Sequence, residues 1–475
     1  MNSGAADGIN DGAGETAEVT PPAPTPTSAP PKPRIGVALG RFDRSLAAIK
    51  ELVVAIAPKI DELDTTHRRI RDLLGALRPD QIDRLNALVR GFRDEVSRGA
   101  AFGERHVTFE INLEDDHFGE LTDQVMELFP TLVAGPSLMP PAKGELLHGA
   151  LLTIAVSTFE MLVAAIFTEH YKAHPDALDP SERKFSLAEL RGFPTIADAE
   201  AAAIADRVDQ HMRGGLDEWA RWFSRSLECN VEDLSDNWSA IEEVFQRRHL
   251  IVHSEGRVTA QYLAKVRGST ARPGRRLVVG QRYLLRAVDR LSLLGHMLAF
   301  EVQLKWLPKD SATIAGRMQD RCYRALLNHD WPLAERIGTR GLRAKAKQDT
   351  REAMRCNAWL AMKRLGRLES VKAEIMAWDT SAMEPQFKLA RHCLLDDLDE
   401  AFALLPGFLA FDSDHRDALA RWPILEELRL DPRCAQYLRK RGRRPGTKPI
   451  TVVKLTLGAE GLKPALPPAN GPAPE

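Results

Sequence analysis

Between Leu151 and Phe167 the chain runs for 17 residues with one charged side chain, Glu160. A helix that is apolar on every side needs shelter on every side. This run is too short, and with a carboxylate in its middle too charged, for a membrane span. It predicts a buried core helix over about 146–172, with other helices packed around it. At 475 residues the chain can supply them, in about two to four domains. Hydrophobic residues make up 44% and charged residues 28%, which excludes a collagen and a wholly disordered chain.

Helical periodicity governs the segments on either side. Phe42, Leu46, Ile49, Val53, Ile56, Ile60 and Leu63 are spaced 4,3,4,3,4,3, and Ile70, Leu74 and Leu77 continue the rhythm. Pro58 predicts a kink or a break within it. After Arg78-Pro79-Asp80 comes a second run, Ile82, Leu85, Val89, Phe92 and Val96. Residues 35–144 thus read as a helical, coiled-coil-like region with an antiparallel hairpin, a dimerisation arm or a packed bundle. Alternation from His106 to Leu113 suggests one short strand. Over 145–305 further helices are expected at about 197–211, 216–227, 238–253 and 283–306, with Ser186-x-x-Glu189 as a capping box. Over 313–432, Trp331, Leu368 and Leu398 each open a helix after a turn. Their spacings of 37 and 30 straddle the 34-residue tetratricopeptide period. Residues 1–34 and 433–475 are poor in large apolar side chains and read as disordered, the second beginning with a basic run. The fold class is all-α.

Lys and Arg (65) nearly cancel Asp and Glu (66), but the charge is unevenly placed. Over 145–246 there are 19 acidic and 8 basic residues; over 247–290 there are 2 acidic and 11 basic. The second stretch is suited to a phosphate backbone, or to neutralising the acidic half of the same domain. Five scattered cysteines in no metal spacing exclude a disulfide scaffold and a zinc module, and fit a reducing cytoplasm. The N-terminus has no signal-peptide pattern. No Walker loop, G-x-S-x-G, H-E-x-x-H or G-x-G-x-x-G is present, and no cofactor is implied.

Chemistry concentrates in Gln246-Arg247-Arg248-His249-Leu250-Ile251-Val252-His253-Ser254-Glu255-Gly256. An Arg separated from a His by four to six residues occurs four times in the chain, the chance level, so context must decide. On a helix over 236–253, Ile241, Val244, Phe245, Ile251 and Val252 form an apolar stripe that includes Arg248. A cation there needs an acid such as Glu160, or a partner surface. Gly256 is the expected C-cap. Arg248 and His253 point about 140° apart on a regular helix. They meet only if the last turn is irregular or two chains contribute. His249 and His253 have the i, i+4 spacing of a metal pair, but no third ligand joins them, and no metal is expected.

This stretch resembles the end of a HEPN (higher eukaryotes and prokaryotes nucleotide-binding) domain. Ala155-Val-Ser-Thr-Phe-Glu-Met-Leu resembles the family's first long helix. Tyr262-Leu263 and Val278-Val-Gly, followed by the 283–300 helix, fit the usual continuation. The resemblance covers about 145–305. It implies a dimerising helical bundle and a metal-independent endoribonuclease of toxin–antitoxin or anti-phage systems. Arg248 and His253 would be the catalytic pair and His249 the polar residue after the arginine, where many members have Asn. Arg247 has no fixed counterpart, and Glu160 matches an acidic position loosely. Arg257, Lys265 and Arg267 would hold RNA. A homodimer through this domain, an antitoxin or trigger protein at the C-terminal repeats and no membrane are the implied partnerships. The alternative is a non-catalytic scaffold or an RNA-binding interaction protein.

Overall fold

The computed structural model describes residues 34–101, 118–134, 142–178, 184–412 and 415–438, with 455–458 and 461–464. The expected strand at 107–113, residues 1–33 and the basic run after Leu438 lie outside the described residues. The described chain is almost wholly helical, as its periodicities predict. It divides into two compact units, Met1–Arg321 with Arg336–Thr350, and Cys322–Glu335 with Arg351–Glu475.

In the first unit, α1 (Ile35–Leu63) precedes α2 (Thr65–Ala76), α3 (Pro79–Ala101) and α4 (Thr122–Ala134). Then follow α5 (Lys143–Ala173), α6 (Leu187–Arg191), α7 (Ile196–Leu227), α8 (Trp238–Ser254), α9 (Ala260–Lys265) and α10 (Gln281–Trp306). The long apolar run is α5. Over its full 31 residues it is long and apolar enough to cross a membrane, so length does not separate the two readings. Its surroundings favour the core: α1, α7, α8 and α10 all pack on it, and Leu152, Phe159, Ile166 and Phe167 are fully buried.

The first half of the α1 stripe, Phe42, Leu46, Ile49 and Val53, is buried where α1 packs on α5 and α10, whereas Ile56 and Ile60 are half-buried and Leu63 is exposed; α2 and α3 pack with α4 through Leu73, Leu77, Leu85, Val125 and Phe129. The hairpin turn at Arg78-Pro79 is present, but α1 belongs to the central bundle. The helix runs through Pro58 and ends five residues later at Leu63, with Asp64 as its cap. The Asp64 carboxylate accepts the first amides of α5, Lys143 N at 2.8 Å and Gly144 N at 3.0 Å. Burial pushes this carboxyl up, but the two amides outweigh it and hold it below its ordinary value of 3.8. Against α10, a side chain on Gly295 would lie 2.5 Å from the Phe42 ring, so only glycine permits the approach. Beside it, Arg321 donates to Asp43 and to Nε2 of buried His296, both at 2.8 Å. Arginine only donates, so His296 is the neutral tautomer with its proton on Nδ1, given to Ser292 O at 2.7 Å.

Beyond α10 the chain continues as α11 (Ser311–Leu327), α12 (Trp331–Gly341), α13 (Gln348–Arg364), α14 (Lys372–Ala377), α15 (Pro385–Leu394) and α16 (Leu398–Phe411). It ends in α17 (His415–Arg421), α18 (Glu426–Leu430) and α19 (Ala435–Leu438). Trp331 and Leu398 open helices as expected, whereas Leu368 opens a three-residue 3₁₀ turn and the helix after it starts at Lys372. Helical structure passes the expected end at 432 and reaches Leu438. Within the segment that composition marks as unstructured, β1 (Leu455–Gly458) pairs antiparallel with β2 (Gly461–Pro464).

Candidate functional site

Helix α8 carries the motif and is bounded as its caps dictate. The Asn237 side chain accepts Ala240 N at 3.0 Å. At the other end Glu255 (φ 49°) takes the first left-handed position and Gly256 (φ 75°) the second, and Gly256 N donates to Leu250 O at 2.9 Å. The predicted glycine cap is therefore one residue late. Ile241, Val244 and Leu250 are buried, whereas Val252, assigned to the apolar stripe, is 50% exposed. The last turn is regular. Arg248 and His253 of one chain stay on different sides of the helix.

Arg247 is held by several partners. Its Nε donates to Glu243 at 2.7 Å, and Nη1 donates to Val278 O at 3.1 Å. Its guanidinium lies 4.3 Å from the centre of the Tyr283 ring. Glu243 also accepts the Tyr262 hydroxyl at 3.0 Å and that of Tyr283. Burial first, then the Glu243 charge, raises the pKa of both phenols. This knot ties α8, α9 and the start of α10 together, and Arg247 is one of its members.

Arg248 has a weaker hold. Its Nη2 is 3.5 Å from Glu160 on α5, and its buried Nε has no partner. The side chain lines a cleft of about 780 Å³ with His249, Gln246, Lys265, Arg267 and Glu160. The opposite wall comes from the break in α7, where Gly215 is left-handed (φ 74°) and brings in Arg213 and Asp217. Sequence reasoning missed these wall residues; the Gly214-Gly215 pair inside a helical pattern was the available signal. Glu242 also faces the cleft; burial and then Asp217 and Glu232 raise its pKa. The ring centroids of His249 and His253 lie 4.6 Å apart, and His253 is exposed. Partial burial, then the charges of His253, Lys265 and Arg248, lower the pKa of His249 from 6.5, leaving it neutral at pH 7.

The residues expected to hold RNA separate. Lys265 and Arg267 share the Arg248 cleft. Arg257 does not: it lines a second groove of about 750 Å³ between α5 and the 274–279 segment. Three of the eleven basic residues in 247–290 pair with the acidic stretch, as Arg247–Glu243, Arg248–Glu160 and Arg276–Glu145. The other basic residues form no ion pair among the described residues, so neutralisation within the domain is partial. Among the described residues no group of three or more His, Cys, Asp or Glu side chains is arranged to hold a metal ion. No protein-family model, no curated protein and no solved structure matches this chain.

Proposed function

We propose that the chain is a HEPN-type, metal-independent endoribonuclease of a toxin–antitoxin or anti-phage system, with tetratricopeptide-like repeats at its C-terminus. The observation that carries this reading is the shared cleft of Arg248 and His249, with the His253 ring against His249 one turn further on. RNA brings its own nucleophile. Neutral His249 takes the 2′-hydroxyl proton as the O2′–P bond forms. The P–O5′ bond breaks, and a protonated imidazole, His253 in this reading, returns a proton to O5′. Arg248, loosely held by Glu160, supplies a fork for the charge that develops on the phosphate. Lys265 and Arg267 flank it with further positive charge. No cofactor enters the scheme. The same reading carries a homodimer formed through the helical bundle, an antitoxin or trigger protein on the repeats and a cytoplasmic setting.

The test is cleavage of RNA by purified wild type, Arg248→Ala, His249→Ala and His253→Ala in excess EDTA, with product ends identified. Wild type alone should leave 2′,3′-cyclic phosphate and 5′-hydroxyl ends. Equal cleavage by all four, or loss of cleavage in EDTA, would reject the assignment. One observation favours the alternative, a non-catalytic scaffold or RNA-binding protein: Arg248 is paired with Glu160 and lies about 140° from His253 on the same helix. Unchanged RNA retention by His253→Ala, with no cleavage by wild type, would support it.

A further inference from the structure

From Gly256 to Val288 the chain contains eight basic residues and no acidic one. This segment is folded, and its folding keeps like charges close. Val258 N donates to Arg275 O, Gly274 N to Val258 O and Leu277 N to Gly256 O, at 3.0, 2.9 and 2.8 Å. These bonds close 256–277 into one loop with α9 inside it, turned at left-handed Gly268 and Gly274 (φ 76° and 75°). Crowding like charges costs free energy unless a counter-charge is supplied. Among the described residues only Arg276 of this loop finds an acid, Glu145 at 3.0 Å; Arg257, Lys265, Arg267, Arg272 and Arg275 are exposed and form no ion pair there.

The grooves around the loop are joined by the same arginines. Arg267 lines both the Arg248 cleft and a middle groove of about 670 Å³. Arg275 and Arg276 line that middle groove and also the third one, where Arg257 lies. Acids line them too, Glu243 in the middle groove, Glu145 and Glu255 in the third and Glu160, Asp217, Glu232 and Glu242 in the cleft, but Glu243, Glu145 and Glu160 are already paired with Arg247, Arg276 and Arg248. We infer that the unpaired cations of the loop join these three depressions into one track, and that it holds the phosphate backbone of an RNA strand flanking the Arg248/His249 cleft. Inference and function are linked, since the choice of RNA as the polyanion rests on the proposed ribonuclease reading. No aromatic side chain lines the middle or third groove except Tyr262, which is buried in the Glu243 knot. The track therefore grips phosphates and offers no platform for stacking bases, so binding along it is indifferent to sequence.

The experiment measures binding of the full chain to poly(U) across a salt series, in EDTA and with the 2′-deoxy polymer in parallel so that cleavage does not erode the signal. The triple variant Arg257→Gln/Arg275→Gln/Arg276→Gln is compared with wild type and with the triple Arg→Lys variant. Each lost phosphate contact lowers the slope of log K against log salt by about 0.7 on a single strand, so the Gln variant should lose about 2 from the slope. The Lys variant should keep it, and thermal unfolding should show both variants folded. An unchanged slope in a folded Gln variant would overturn the track. So would binding that poly-glutamate competes for while poly(U) does not bind, since the surface would then meet an acidic protein. Binding that follows this pattern without any cleavage by wild type would reject the enzyme and leave the track standing. Cleavage with an unaltered slope in the Gln variant would do the reverse.

Discussion

Arg247 and Arg248 are neighbours on α8, about 100° apart around its axis, and their side chains meet opposite conditions. The first is enclosed by a carboxylate, a carbonyl and an aromatic face, and it shares its acid with two phenols. The second has one long contact to Glu160, an unpartnered Nε and open space in front of it. A cation held by a carboxylate at close range, a carbonyl and a ring face is part of the architecture. A cation with donors to spare, beside a neutral imidazole, is available to a phosphate. Residue type and motif position do not assign a role here; the partners do.

The largest effect should come from breaking the closed side. Glu243→Ala leaves Arg247 buried without its acid and two hydroxyls without their acceptor. It should cost about 3–5 kcal/mol in denaturant unfolding. A loss under about 1 kcal/mol would mean the knot is not structural. On the open side, Arg248→Ala should leave stability nearly unchanged and slow single-turnover cleavage about 100- to 1000-fold, as expected when one donor to a developing oxyanion is removed. Unfolding of Arg248→Ala, seen by circular dichroism, would make the two arginines alike and dissolve the comparison.

Next in size is a pH dependence. His249 acts as a base only when neutral, and its pKa is lowered. The rate should fall about tenfold per pH unit below that pKa, with a midpoint below 6.5 that is absent in His249→Ala. A midpoint above 6.5 would contradict the electrostatics of the cleft. Asp64→Asn should cost about 1 kcal/mol as a weakened cap. Because the folded pKa of Asp64 is depressed, its contribution is present above the ordinary 3.8 and is lost as pH falls through the folded value. An acid transition identical in Asp64→Asn and wild type would refute that role. The smallest change is expected for Glu160→Ala, about 1 kcal/mol or less in stability, since its ion pair is long and partly solvated. It should leave Arg248 freer for phosphate and tighten RNA retention.

The distinction between the arginines could not be read from Gln246–Gly256. Helices α5, α8 and α10 were legible because local signals set each of them, an unbroken apolar run for α5 and helical patterning for α8, with its cap, and for α10. The fate of Arg247 depends on Tyr262, Val278 and Tyr283, and residues 15 to 36 positions away are invisible to periodicity. Arg257 left the site for the same reason: the 256–277 loop turns it towards α5. The stripe on α1 shows that one face must be covered but not by what, and its cover turned out to be α5 and α10. His249 was legible as a polar residue beside the arginine. Its lowered pKa was not, because it depends on Lys265 and on burial that the cleft creates.

The seating of Phe42 against Gly295 also has a consequence in time. A ribosome adding about 5–20 residues per second needs tens of seconds to travel from α1 to α10. Throughout that interval Phe42, Leu46, Ile49 and Val53 have left the exit tunnel before their final neighbours exist. Nascent chains of this protein should therefore be clients of a holding chaperone, released only once translation has passed Arg321, whose guanidinium clasps Asp43 and His296 together.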